Sequence, residues 1–307
     1  MRPLRGIILK LCSVLIFIAM ASMIKATTAH VPPGEAVFFR SFFAIPVILV
    51  WLAVQGQFAT GFRTANPMGH VWRGLVGTMG MGMGFAGLGY LPLPEVTAIG
   101  YAAPLLVVVL AAMFLGEKVR AFRISCVALG LTGVLIVLSP RLTLGSGSGV
   151  GGTEALGAMI VLFSALCSAL AQVFVRKLIA TESTLAIVFY FSATSTLLSL
   201  ITLPFGWVWP TPVEVGLLVM AGLLGGVGQV LLTSSYREAD ASLIAPFEYA
   251  SMLFALGIGY VIFDEVPTMT MLGGAALVVL AGILIIWRER KLGLERGKGR
   301  QANTPQG

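Results

Sequence analysis

"GMGMGFAGLGY", residues 80–90, returns in altered form as "GVGQVLLTSSY", residues 226–236. Each opens on Gly-x-Gly and closes on a tyrosine eight residues later: Gly82 to Tyr90 and Gly228 to Tyr236. Working outward, Tyr101-Ala102 is followed sixteen residues on by Glu117, and Tyr249-Ala250 sixteen residues on by Glu265. Farther out, "TGVLIV" ending one apolar run answers "AGILII" ending another. The offset between the copies changes from 146 to 148, so one copy carries a two-residue insertion near a turn. The chain is an internal duplication.

The medium around it is set by composition. Of 307 residues, 57% are hydrophobic and 11% charged, with a mean hydropathy of +0.95. A soluble domain is about a quarter charged. Apolar runs of about 20 residues, the length that crosses a bilayer as a helix, recur along the chain. Ten are expected: 7–24, 36–54, 71–90, 96–115, 124–138, 155–175, 185–203, 213–236, 242–263 and 269–287. The basic start and apolar run of residues 1–25 also fit a signal peptide. Its length and the many similar runs that follow assign it to a retained first span.

Five spans stand on each side of a Gly/Ser-rich stretch at 139–154, expected to be a flexible linker. The expected organisation is a first five-helix repeat over 1–138, the linker, a second repeat over 155–287, and a basic tail over 288–307. Because five is odd, the halves must be inverted relative to each other. The fold class is therefore all-α integral membrane, ten transmembrane helices as two inverted five-helix repeats. Inverted repeats are an architecture of secondary transporters, which hold substrate near the midplane where the repeats meet.

Lys and Arg concentrate in cytoplasmic loops. With the N-terminus inside, seventeen of the twenty fall on the inner side, Lys10 and Arg73 among them. Lys25 and Arg141 fall outside, and Arg40 lies within a span. This predicts a multi-pass protein of the inner (plasma) membrane with both termini cytoplasmic. It also explains a net charge of +7 without nucleic acid; the basic tail suits anionic headgroups.

The order and spacing of short motifs carry a resemblance. "LGE" (Leu115, Gly116, Glu117) closes the fourth span, and "PFEY" (Pro246, Phe247, Glu248, Tyr249) and "FDE" (Phe263, Asp264, Glu265) mark the ninth. From about residue 7 to 287 the chain resembles the EamA-type, ten-helix exporter branch of the drug/metabolite transporter superfamily. The resemblance implies two inverted five-helix units with alternating access to a central cavity. It also implies small organic substrates such as amino acids, vitamins or nucleotide-like cofactors. One departure is Asp264, where the first half has Gly116.

Arg40 lies roughly 7 Å below Glu35 at the helical rise. It either snorkels to the outer interface or faces the cavity and meets a carboxylate or phosphate. Its repeat counterpart is Tyr190, by the match of "VFFR" to "IVFY". Glu248 sits roughly 12 Å beyond Asp240, too deep for a short side chain to reach water easily. A carboxylate there needs a shifted pKa or a cationic partner. It is the candidate for proton coupling or for anchoring a substrate amine; a structural hydrogen bond is the alternative. Phe39, Tyr101, Tyr190 and Tyr249 are candidate cavity walls, and Gln172 a candidate polar contact. Glu117 and Glu265 end their spans at opposite faces, as solvated caps or as gate charges. Glu95 is expected to cap the fourth span. An Arg and a Glu in the membrane would suit a zwitterion; the aromatic residues would equally suit a flat heterocycle.

Other classes lack support. Gly74, Gly77, Gly80, Gly84 and Gly87 recur three or four apart, the pattern of a close-packed helix face. The Gly-x-Gly-x-x-Gly matches at Gly82 and Gly147 follow no strand, so they are no dinucleotide site. His30 and His70 lie in loops on opposite sides, and no catalytic or ATP-binding motif appears. Cys12, Cys126 and Cys167 fall in apolar runs and read as small buried hydrophobes. The reading is a transporter of small metabolites, not an enzyme, with no cofactor and no metal. Its partners are the lipid bilayer and a small-molecule substrate, and a homodimer is compatible. Broad-specificity drug export is the main alternative, a membrane enzyme or channel subunit the weaker ones.

Overall fold

The computed structural model describes residues 3–56, 61–115, 121–143, 149–179, 181–238 and 245–302. Glu117 lies outside the described residues, as do Gly116 and Asp240. The described chain is helical and populates ten spans. The first is α1 (Pro3–Thr27); the second is split into α2 (Pro33–Phe42) and α3 (Ala44–Val54). The third is α4 (Pro67–Tyr90), and the fourth is split into α5 (Leu93–Gly100) and α6 (Ala102–Leu115). Then follow α7 (Ala121–Thr143), α8 (Gly149–Ile179), α9 (Thr184–Leu200) and α10 (Pro212–Glu238). A 3-10 turn (Ala245–Tyr249) leads into α11 (Ala250–Phe263), and α12 (Met269–Ala302) closes the chain. The described ends of the expected linker are helical, because α7 and α8 continue past their apolar runs.

Among the described residues six helices are long and apolar enough to cross a membrane, and three shorter apolar helices accompany them. The third span is not among these nine. Glycine adds no apolar side chain, and α4 is rich in it. Its stability comes from packing: Ser164 on α8 donates to the Gly80 carbonyl at 2.6 Å. A Cβ on Gly87 would fall 2.2 Å from Val161. The glycine stripe is a helix-contact face.

Proline explains two of the breaks. Pro46 and Pro104 each lack the N–H that would bond four residues back, and the helices break at Phe43 and Tyr101, three residues before them. In the second half the break occurs at Tyr249, the repeat partner of Tyr101, but there Pro246 precedes it. Asp264 takes the left-handed conformation (φ 52°) that ends α11, a position glycine favours. Asp264 thus places a carboxylate at that turn.

The packing follows the duplication. α1 packs on α10, and its repeat counterpart α8 packs on α4, the counterpart of α10. The fifth and tenth spans pair with each other, as do the second and seventh. The halves exchange partners around a two-fold relation. Large apolar side chains such as Leu15, Val50, Leu197 and Val261 are left on the outside, as expected where lipid is the solvent.

Candidate functional site

A cavity of about 260 Å³ lies between the halves, bounded by α1, α2, α4, α8, α9 and α10. Its polar lining is Arg40, Arg73, Ser168, Gln172 and Gln229. Arg40 is 3% exposed, so it does not snorkel. The guanidinium carbons of Arg73 and Arg40 stand 3.7 and 5.6 Å from the centre of one ring, Phe191. Two glycines make room. A Cβ on Gly77 would fall 2.7 Å from Arg73 Nη1 and 2.9 Å from Phe191, and one on Gly225 would fall 3.2 Å from Arg40 Nε. Nε and Nη1 of both arginines are buried and make no hydrogen bond with any described residue.

Arg73 corrects the charge count, which placed it on the inner side. Asn66 caps α4, its side chain accepting from Gly69 N at 2.9 Å, and Pro67 opens the helix. The helix therefore starts four residues before the expected span. The Asn-Pro signal for that start was in the sequence. Lys10 is corrected likewise. α1 starts at Pro3, and Lys10 is 2% exposed inside it.

Lys10 Nζ pairs with Glu248 Oε2 at 3.2 Å. The expected burial of Glu248 is also corrected: its side chain is 48% exposed while that of Lys10 is 3% exposed. Glu248 lies in the 3-10 turn that precedes α11, not in the regular helix. Glu248 does not line the arginine cavity, so Arg40 has a second arginine, not an acid, as its companion there.

Of the other expected residues, Gln172 lines the cavity. Tyr101 and Tyr249 meet edge to face, centroids 5.1 Å apart, and the Tyr101 hydroxyl bonds Ser251. They form a contact across the repeats, not facing walls of the cavity. Tyr190 donates to the Phe62 carbonyl at 2.7 Å and packs on His70, away from the cavity. Phe39 stacks on Phe43 and packs against α10. Cys126 and Cys167 are buried, whereas Cys12 is exposed on α1. Glu95 is buried in the first turn of α5.

Glu265 is an ion-pair partner, not a solvated cap. Its Oε1 meets Lys25 Nζ at 2.9 Å, and its Oε2 accepts the Leu93 N–H at 2.9 Å. Lys25 also donates to the carbonyls of Leu91 at 2.8 Å and Leu88 at 3.1 Å. Both side chains are nearly buried, and the cluster ties α1, α4, α5 and α11 together. On the other side, Glu182 accepts from Thr64, Ala65 and Asn66 at 2.7–2.9 Å and lies 3.6 Å from His70. Among the described residues no cluster of metal-ligating side chains exists.

Known proteins place this architecture. The chain is similar to the pseudopaline exporter CntI of Pseudomonas aeruginosa, 30% identical over 91% of this chain and 95% of that one. It is 28% identical to the S-adenosylmethionine uptake transporter of Rickettsia bellii, over 84% of each chain. It is also 28% identical to the riboflavin transporter of Rhizobium johnstonii, over 85% of this chain and 83% of that one. A solved crystal structure superposes with a TM-score of 0.66 at 20% identity, covering 92% of this chain and 96% of that one, which shows the fold. A Solute carrier family 35 profile matches residues 93–205. The profile of the EamA-like transporter family matches residues 4–139 and 155–287, nearly the whole chain, and this multi-pass membrane protein belongs to that family.

Proposed function

We propose that this protein is a secondary transporter that moves small organic metabolites across the inner membrane by alternating access to the central cavity. The observation that carries the reading is that cavity, built by helices of both repeats and lined by two arginines whose Nε and Nη1 make no hydrogen bond with any described residue. Relatives named as transporters of pseudopaline, S-adenosylmethionine and riboflavin support small organic substrates. Arg40 and Gln172 are the substrate contacts. Lys25–Glu265 is the gate at the outer end, closed in this state. The termini are cytoplasmic. Removing Lys10 and Arg73 from the seventeen inner charges leaves fifteen, still far above the outer side.

Glu248 with Lys10 is the proton-coupling pair. An exposed carboxylate can exchange its proton with water, and its protonation would release the buried lysine charge that it balances. The test is flux in proteoliposomes, with and without a pH gradient, using a panel of amino acids, vitamins, nucleotides and cationic drugs. Glu248→Gln is expected to retain substrate exchange and lose gradient-driven accumulation. Undiminished gradient dependence in that variant would remove the coupling role. Movement of cationic drugs alone would favour the drug-export reading. No flux of any panel member in folded, membrane-inserted protein would count against transport through this cavity.

A further inference from the structure

We propose that the cavity selects small organic dianions, molecules carrying two carboxylates or an equivalent doubly charged oxyanion such as a phosphate. The inference rests on the transporter reading and names its substrate class. The sequence offered one intramembrane arginine; the fold brings a second to it. Arg40 arrives from α2 and Arg73 from α4, and both reach the same phenylalanine ring. Their Nε and Nη1 groups are buried with no described partner. Two unneutralised charges taken out of water are strongly unfavourable. Stacking on Phe191 offsets only part of this. The missing contribution is a counter-charge that the cavity must receive from outside.

The surrounding acids do not supply it. No Asp or Glu is among the described residues lining the cavity. Glu248 is committed to Lys10 and Glu265 to Lys25. Glu35 accepts the Val208 N–H at 3.1 Å, and Glu182 is held by the 64–66 turn. A cation would be repelled by both guanidiniums. A zwitterion would neutralise one and leave its ammonium beside the other. A dianion neutralises both, with the fork geometry that guanidinium offers to carboxylate and phosphate oxygens. Gln172, Gln229 and Ser168 remain for its neutral polar groups.

Purified full-length protein in detergent, at constant chloride, is titrated by thermal shift with succinate, glutarate and inorganic phosphate. Leucine serves as zwitterion and tetraphenylphosphonium as cation. Dianions are expected to stabilise at lower concentrations than the others. Succinate and glutarate without phosphate would assign dicarboxylates; phosphate alone would assign a phosphorylated metabolite. Arg73→Gln and Arg40→Gln should each weaken dianion affinity by at least about tenfold, and Arg73→Lys should recover part of it. In ligand-free protein the Gln variants should melt at or above the wild-type temperature, since a strained buried charge is gone. A purely structural arginine would lower that temperature. The proposal is overturned if no dianion stabilises the wild type, or if Arg73→Gln leaves dianion affinity unchanged. Should the variants not fold, the wild-type order of ligands decides alone. Transport of neutral or cationic metabolites without dianion binding would sink this proposal and leave the transporter reading standing.

Discussion

Two buried cation clusters stand in the same membrane domain and are built in opposite ways. At one end, Lys25 has a carboxylate at 2.9 Å and two carbonyls, and its partner Glu265 also accepts a backbone N–H. In the middle, Arg40 and Arg73 share an aromatic ring, and four of their nitrogens have no partner among the described residues. Burial is similar; satisfaction is not. A fully partnered charge in low dielectric joins helices in the state where its partners meet. An unpartnered one is a site whose partner comes from outside the chain.

The comparison can be broken where it predicts the largest loss. Glu265→Ala leaves Lys25 buried without its counter-charge and should destabilise the protein by about 3–5 kcal/mol. Unfolding in detergent, followed by helix signal against denaturant, measures it. The double change Lys25→Met with Glu265→Leu should recover most of that loss. If the single change costs less than about 1 kcal/mol, the joint is not one.

A second variant sharpens the arginine side. Gly77→Ala drives a methyl against Arg73 Nη1 and Phe191, at 2.7 and 2.9 Å. Overpacking of this kind costs about 1–3 kcal/mol, and flux should fall with it. Gly100→Ala, where a Cβ meets nothing within 4 Å, is the control and should be neutral or slightly stabilising. Equal melting temperatures for the two variants would show that the arginines have slack.

The smallest effect belongs to a third, satisfied cluster in the loop between α8 and α9. Burial alone would raise the Glu182 carboxyl pKa. Hydrogen bonds from Thr64, Ala65 and Asn66, with His70 3.6 Å away, outweigh it and hold the group below the ordinary carboxylate value. With the folded value depressed, the stabilisation is present above the unfolded value and is lost as pH falls through the folded one. Melting temperature measured from pH 6 to pH 3 should therefore decline less steeply in Glu182→Gln than in the wild type. Identical slopes would remove Glu182 from the account.

Much of the fold was legible before any coordinates, for simple reasons. Twenty apolar residues in a row have few stable destinations other than a bilayer, and an odd number of spans per repeat forces inversion. The Gly-x-Gly and Tyr-Ala pairs needed only counting. The exception, α4, belongs to the same logic from the other side: its glycines lower its hydropathy because they are spent on contact with α8 and α9.

The site was legible in part. Arg40 and Gln172 stood out because a polar group inside an apolar run is conspicuous in one dimension. Arg73 and Lys10 did not, because each lies near the end of its run, and moving the helix start by four residues carries a charge from the interface into the membrane. Phe191 had no local signal; Gln229, a polar residue inside an apolar run, carried the same signal as Gln172 and was missed. Sequence alone determined the membrane, the ten spans and the inverted duplication, since these depend on hydropathy, length and parity along the chain. Only tertiary structure decided which charges are paired. Lys25 and Glu265 are 240 residues apart, Lys10 and Glu248 are 238, and nothing in local pattern distinguishes a cation with such a partner from one without.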